Sequence, residues 1–131
     1  MPAIILIVGI SLAIWAARHE GERSGQMRDI VRNLCLAAAR GEDLAGHLPT
    51  EDGSIDDMLG PRLRVACKGA DERPEALEVI IKAGDASGFS DGATTHTAII
   101  RFDGRDRLGL RLAERDGRPV IVGFWQPAVA W

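Results

Sequence analysis

No residue before Arg18 carries a charge, and from Pro2 to Ala17 the only polar side chain is Ser11. Elsewhere the sequence is short of signals. It has no excess of basic charge: 16 basic residues stand against 19 acidic, for a net charge of −3. The electrostatic footprint of a nucleic-acid binder is therefore missing. It has only two cysteines, Cys35 and Cys67, without CxxC spacing and without a histidine close by in sequence. That excludes the usual zinc patterns. A pair of buried thiols or a disulfide both stay open, because the redox compartment decides between them. There is no internal repeat and no low-complexity tract.

Catalytic and cofactor motifs are equally absent. "GDASGFSDG" lacks the alternating Asp/Asn and the terminal Glu of a calcium loop. "GDASG" lacks the Gly-Lys-Ser/Thr ending of a phosphate loop. His47, His96, Asp85, Ser90 and Asp91 are the candidate acid–base or nucleophilic groups, with His96 expected on a strand face beside Arg111. None has the strand–turn–helix setting of a nucleophile elbow. The expectation is no catalytic residue, no cofactor and no metal.

The chain of 131 residues is long enough for one domain plus a short appendage. The apolar run is that appendage. Sixteen helical residues rise about 24 Å, short of a hydrocarbon core of roughly 30 Å. Met1 extends the run, and Arg18 can snorkel toward the headgroups. Trp15 falls where an interfacial ring is favoured. The run is apolar on all sides, unlike a surface-lying helix. A cleaved signal fits less well, because no Lys or Arg precedes it and Trp15 would sit three residues before the cut. The reading is a single-pass membrane anchor over 1–18, with Ile4, Ile5, Leu6, Ile7, Val8, Ile10, Leu12, Ile14 and Trp15 facing lipid. Residues 19–24 follow as a polar linker and 25–131 as a soluble domain. Positive charge after the span and none before it favours a cytoplasmic domain; an extracytoplasmic one stays open.

Within the domain, Met27, Ile30, Val31, Leu34, Cys35 and Ala38 mark one face of a helix over 25–40, stopped by Gly41. Six carboxylates and no cation follow between Glu42 and Asp57. A helical turn is expected at 55–59, ended by Gly60-Pro61. The period then becomes that of strands: "RLRVACK", "ALEVIIKA", "TTHTAIIRF", "RLGLRLA" and "PVIVGFW". Asp103-Gly104 and Asp116-Gly117 read as hairpin turns. The fold class is α+β: an N-terminal transmembrane helix, then one amphipathic helix on a 4–5-stranded antiparallel meander.

Two-residue turns set Phe102 opposite Arg105, Ile100 opposite Arg107, Leu112 opposite Ile121 and Leu108 opposite Trp125. Ile99, Leu108, Leu110, Leu112, Ile121 and Trp125 then form the core face. The other face holds Ile100, Phe102, Val122 and Phe124, edged by Arg105, Arg107 and Arg111. An apolar patch rimmed by arginines suits a partner interface; a covering loop or the acidic 42–57 segment would suit it as well.

The order of elements over 25–127 resembles the cystatin-like and nuclear-transport-factor-like α+β roll, which has membrane-anchored relatives among envelope scaffold subunits. The resemblance implies the fold and carries over no functional residue. A lesser resemblance is to type IV pilins and pseudopilins, but the charged leader ending in glycine and the glutamate inside the apolar segment are missing. The functional expectation is a non-enzymatic interaction module, an accessory or scaffold subunit of a membrane complex. The lipid bilayer and other subunits would be its partners, and nucleic acid would not. The alternative is a small-ligand-binding or enzymatic roll with a pocket between helix and sheet.

Overall fold

The computed structural model describes the backbone at 2–44, 53–85, 87 and 92–127, and side chains at 21–44, 57–85, 87 and 92–127. It is α+β: helix α1 (Pro2–Ala39), helix α2 (Gly53–Ala66), a 3-10 turn at Pro74–Ala76, and strands β1 (Leu77–Ala83), β2 (His96–Phe102), β3 (Arg105–Arg115) and β4 (Arg118–Trp125). The strands form one antiparallel sheet in the order β1-β2-β3-β4. Both helices pack on one face of it, α1 over β1 and α2 over β3 and β4.

The polar stretch 19–24, expected as a linker, continues α1 without a break. Gly21 and Gly25 each cost a helix about 1 kcal/mol, but helix on both sides removes the larger cost of a new nucleus. Arg23 also ties this stretch to β3 through Glu114 at 3.1 Å. The expected helix 25–40 is therefore the second half of a helix about 57 Å long at 1.5 Å per residue. Of its expected apolar stripe, all but the half-buried Ile30 are buried. The helix ends as its sequence proposes: Gly41 takes φ 74°, Gly41 N–H bonds Ala38 O and Glu42 N–H bonds Ala37 O, both at 3.1 Å. Among the described residues no helix is long and apolar enough to cross a membrane. The anchor residues from Ile4 to Trp15 lie in α1 by backbone alone, their side chains being outside the described set.

"RLRVACK" is helix and not strand. Helix α2 runs through Gly60-Pro61, so Pro61 lies inside it. Alternation put Leu63, Val65 and Cys67 on one face; the buried set is Leu59, Leu63, Ala66, Cys67 and Ala70, a helical spacing, while Val65 is 77% exposed. Burying Leu59 and Leu63 on either side of Pro61 outweighs the lost backbone bond, which costs roughly 3 kcal/mol in a helix interior. Cys67, just past the helix end, is disulfide-bonded to Cys35 of α1, with Cα atoms 5.5 Å apart.

Both Asp-Gly turns form as expected, with positive φ at Asp103 (51°), Gly104 (74°), Asp116 (54°) and Gly117 (74°). Phe102 pairs with Arg105 and Leu112 with Ile121. Beyond those pairs the register departs from the two-residue-loop expectation. Arg101 pairs with Asp106 and Ile100 with Leu108, which leaves Arg107 as an extra residue in β3. Arg111 pairs with Gly123 and Leu112 with Ile121, which leaves Val122 extra in β4. Each bulge shifts the pairing by one residue and exchanges the faces beyond it. Ile100, Leu108, Leu110 and Ile121 are consequently all fully buried together, with Phe102 and Leu77 at the margin. Ile99 and Trp125, expected in the core, stand on the opposite face.

Candidate functional site

The seven residues proposed as one interface do not form one surface. Ile100 and Phe102 are core residues, and Phe124 is half-buried against the same core. Arg105 is exposed at the β2–β3 hairpin and Val122 is a half-buried bulge residue. The reason is the Arg107 bulge: it returns Ile100 and Phe102 to the face of Leu108, where the helices cover them.

The outer sheet face is occupied by its own side chains. The Trp125 indole lies over Gly109, so closely that a Cβ there would meet the ring at 2.4–2.6 Å. The Arg111 guanidinium lies over Gly123 in the same way, within 2.2–2.7 Å of where a Cβ would stand. Both are cross-strand pairs, Gly109 with Trp125 and Arg111 with Gly123. Each glycine leaves the gap that its partner fills, and Thr97 and Ala113 are fully buried.

Arg107 points to a different place. With Met58, Pro61, Arg62, Val65 and Gln126 it lines an open groove of about 440 Å³ between α2 and the ends of β3 and β4. The bulge turns its backbone so that Arg107 O accepts a bond from Gln126 Nε2 at 2.8 Å. Its Nε is buried and has no hydrogen-bond acceptor among the described residues. Met58 and Val65, one helical face of α2, are 65% and 77% exposed; they are the large hydrophobics most open to solvent among the described residues. Reading 63–67 as a strand hid this stripe. The 58, 61, 65 spacing was the signal that could have found it.

A second groove, of about 390 Å³, lies between α1 and the free edge of β1, lined by Arg28, Arg32 and Leu77–Ile81. Arg32 donates to Leu77 O and Pro74 O, each at 3.0 Å. Both arginines fall on the side of α1 away from its apolar stripe.

Of the acid–base candidates, His96 and Asp85 are among the described residues. His96 is 5% exposed and lies on the core side of the sheet, opposite Leu112 and away from Arg111, with Nδ1 3.0 Å from Thr95 Oγ1. Asp85 Oδ1 accepts from the Ser87 N–H at 2.9 Å and from the Ser87 hydroxyl, closing a local turn. His47, Ser90 and Asp91 lie outside the described residues. Among the described residues no group of His, Cys, Asp and Glu could hold a metal ion. The helix–sheet interface is filled by Met27, Val31, Leu34, Leu59, Leu63 and Ile100. On the outer face Arg101 bonds Asp106 at 2.7 Å, with Glu78 at 3.8 Å. The Asp106 bond and charge raise its pKa above the ordinary arginine value, so it is a fixed cation and not a proton carrier.

No family model, no curated protein and no solved structure matches this chain.

Proposed function

We propose that the protein is a membrane-anchored, non-enzymatic interaction module whose folded domain lies on the oxidising side of the bilayer. The observation that carries the interaction reading is the α2 stripe. Two large apolar side chains, Met58 and Val65, stand in the open beside a cation whose Nε lacks an acceptor among the described residues. An apolar centre with an arginine at its margin is the composition of a binding surface. The candidate interface thus moves from the Phe102/Phe124 face to the α2 groove.

Anchoring is supported by the charge-free run 2–17, whose backbone is helical from Pro2. The side of the membrane is argued from the Cys35–Cys67 disulfide, since reducing compartments keep such pairs as thiols. That weighs against the cytoplasmic placement favoured by flanking charge.

The test uses the full chain in its native membrane. Alkaline extraction should leave it in the membrane fraction, and protease should remove a C-terminal tag before cell lysis once any outer barrier is stripped. A photo-crosslinking residue at position 65 should give a discrete protein adduct that Met58→Asp abolishes without unfolding the domain. Extraction into the soluble fraction, a tag protected until lysis, or an adduct indifferent to Met58→Asp would each remove the corresponding part of the reading.

A further inference from the structure

The free edge of β1 carries a second binding surface, with its own chemistry. Asp103 N–H bonds Ala76 O at 3.1 Å, and Gly84 N–H bonds Thr95 O at 2.8 Å. These two bonds bracket the β1–β2 ladder and fix its phase. Residues 76, 78, 80, 82 and 84 turn their N–H and C=O groups toward β2. By the alternation of an antiparallel ladder, Leu77, Val79, Ile81 and Ala83 turn theirs outward. Arg32 from α1 caps the outward carbonyl of Leu77. No described residue outside the strand bonds the outward groups of Val79 and Ile81. The usual edge protections are sparse, since β1 has no proline and no bulge in its pairing with β2.

The groove beside this edge is lined by two arginines, Arg28 and Arg32, on the helix side and by one carboxylate, Glu78, which pairs with Arg101 on the outer face. On the helix side stands the exposed Arg28, which has no ion pair among the described residues. On the opposite face stands the exposed Lys82. An added strand would therefore meet the cation Arg28 on the helix side, charges of both signs (Glu78 and Lys82) on the outer face, and two N–H/C=O pairs that no described residue outside the strand bonds.

We propose that the β1 edge binds an extended segment of a partner protein by strand addition, with an acidic side chain of that segment directed at Arg28. The inference rests on the reading of the protein as an interaction module and names the kind of partner. A second copy of this chain is a poorer occupant. Antiparallel self-pairing about Ile80 would set Glu78 opposite Lys82, which is favourable. It would also bring the Arg28–Arg32 side of α1 against its own copy. The two-fold axis would further turn the two N-terminal helical segments in opposite directions, which two anchors in one bilayer do not allow.

The probe is a fluorescein-labelled peptide, acetyl-Thr-Val-Glu-Val-Thr-amide, titrated by anisotropy against the full chain in nanodiscs at low salt. Three comparison peptides replace Glu by Gln, replace Glu by Lys, or methylate the amide nitrogens of alternate residues. The acidic peptide should bind at least about tenfold more tightly than each of them, and Arg28→Glu should reverse the preference to the Lys peptide. Ile81→Pro removes one outward N–H at an edge, where proline is tolerated, and should abolish binding. If that variant fails to fold, the N-methylated peptide tests the same bond on the unaltered protein. Equal binding of the Glu and Lys peptides, indifference to N-methylation, or no binding up to millimolar peptide would overturn the proposal. A dimer that Ile81→Pro disperses would overturn it in favour of self-pairing. Failure of the peptide while the position-65 adduct persists would sink the edge site alone. Failure of both would sink the interaction reading itself.

Discussion

Removing the Cys35–Cys67 bond should destabilise the domain by an amount that follows from its place in the chain. The two cysteines are 32 residues apart in sequence, both fully buried, and they join α1 to the end of α2. A cross-link closing a loop of that length removes loop-closure entropy from the unfolded chain worth about 3.7 kcal/mol at 25 °C. A domain of this size has a urea m-value of roughly 1.5–2 kcal/mol/M, so the midpoint should fall by about 2 M. Pulse proteolysis across a urea series suits the full chain in micelles, because it reports the folded fraction without optical interference from the N-terminal segment. The wild type should lose about 2 M in reductant, on the loop-entropy estimate above. Cys35→Ala/Cys67→Ala should start at the lower midpoint and not respond to reductant. A wild-type curve unmoved by reductant would rule out a stabilising bond between Cys35 and Cys67. So would two alkylatable thiols in protein drawn from its native membrane, and the argument for the oxidising side would fall with them.

Gly21→Ala/Gly25→Ala should stabilise the domain by about 1–2 kcal/mol in the same assay if α1 is continuous, because neither added Cβ meets anything within 4 Å. No change would mean that 19–25 behaves as a linker. Gly109→Ala should cost about 1–2 kcal/mol by driving the Trp125 ring off the sheet, and Trp125→Ala should cancel most of that cost. Additive effects would contradict the bulged register. Arg32→Ala should cost about 1 kcal/mol, because Pro74 O and Leu77 O each lose a donor. The exposed Arg73–Asp103 pair should contribute under about 1 kcal/mol, so Asp103→Asn, which keeps the turn, should leave the midpoint nearly unmoved.

Local signals account for much of this fold. The stripe from Met27 to Ala38 announces a helix, Gly41 its end, and the two Asp-Gly pairs their hairpins. One source of misreading is that alternation and helical spacing overlap over short runs. In 63–67 both periods put Leu63 and Cys67 inside, and only the fate of Val65 separates them. Pro61 argued for a stop, yet burial of Leu59 and Leu63 across it prevailed. Arg107 and Val122 look like ordinary alternating residues, because a bulge leaves no mark in composition. A shift of one residue at Arg107 was enough to move Ile100 and Phe102 from a supposed interface into the core.

What depends on neighbours along the chain was legible in the residues alone: the charge-free N-terminal run, the helix stripe, the turn types and the α+β class. The tertiary structure decided what depends on contacts distant in sequence. It carried α1 through 19–24, made a helix of 61–66, joined Cys35 to Cys67, and assigned the faces of the sheet. It also located the two grooves, because a groove exists only where separate elements fail to fill the space between them. Arg28 beside the β1 edge and Arg107 beside α2 are ordinary arginines in the chain. Their meaning comes from the strands and helices that the fold brings against them.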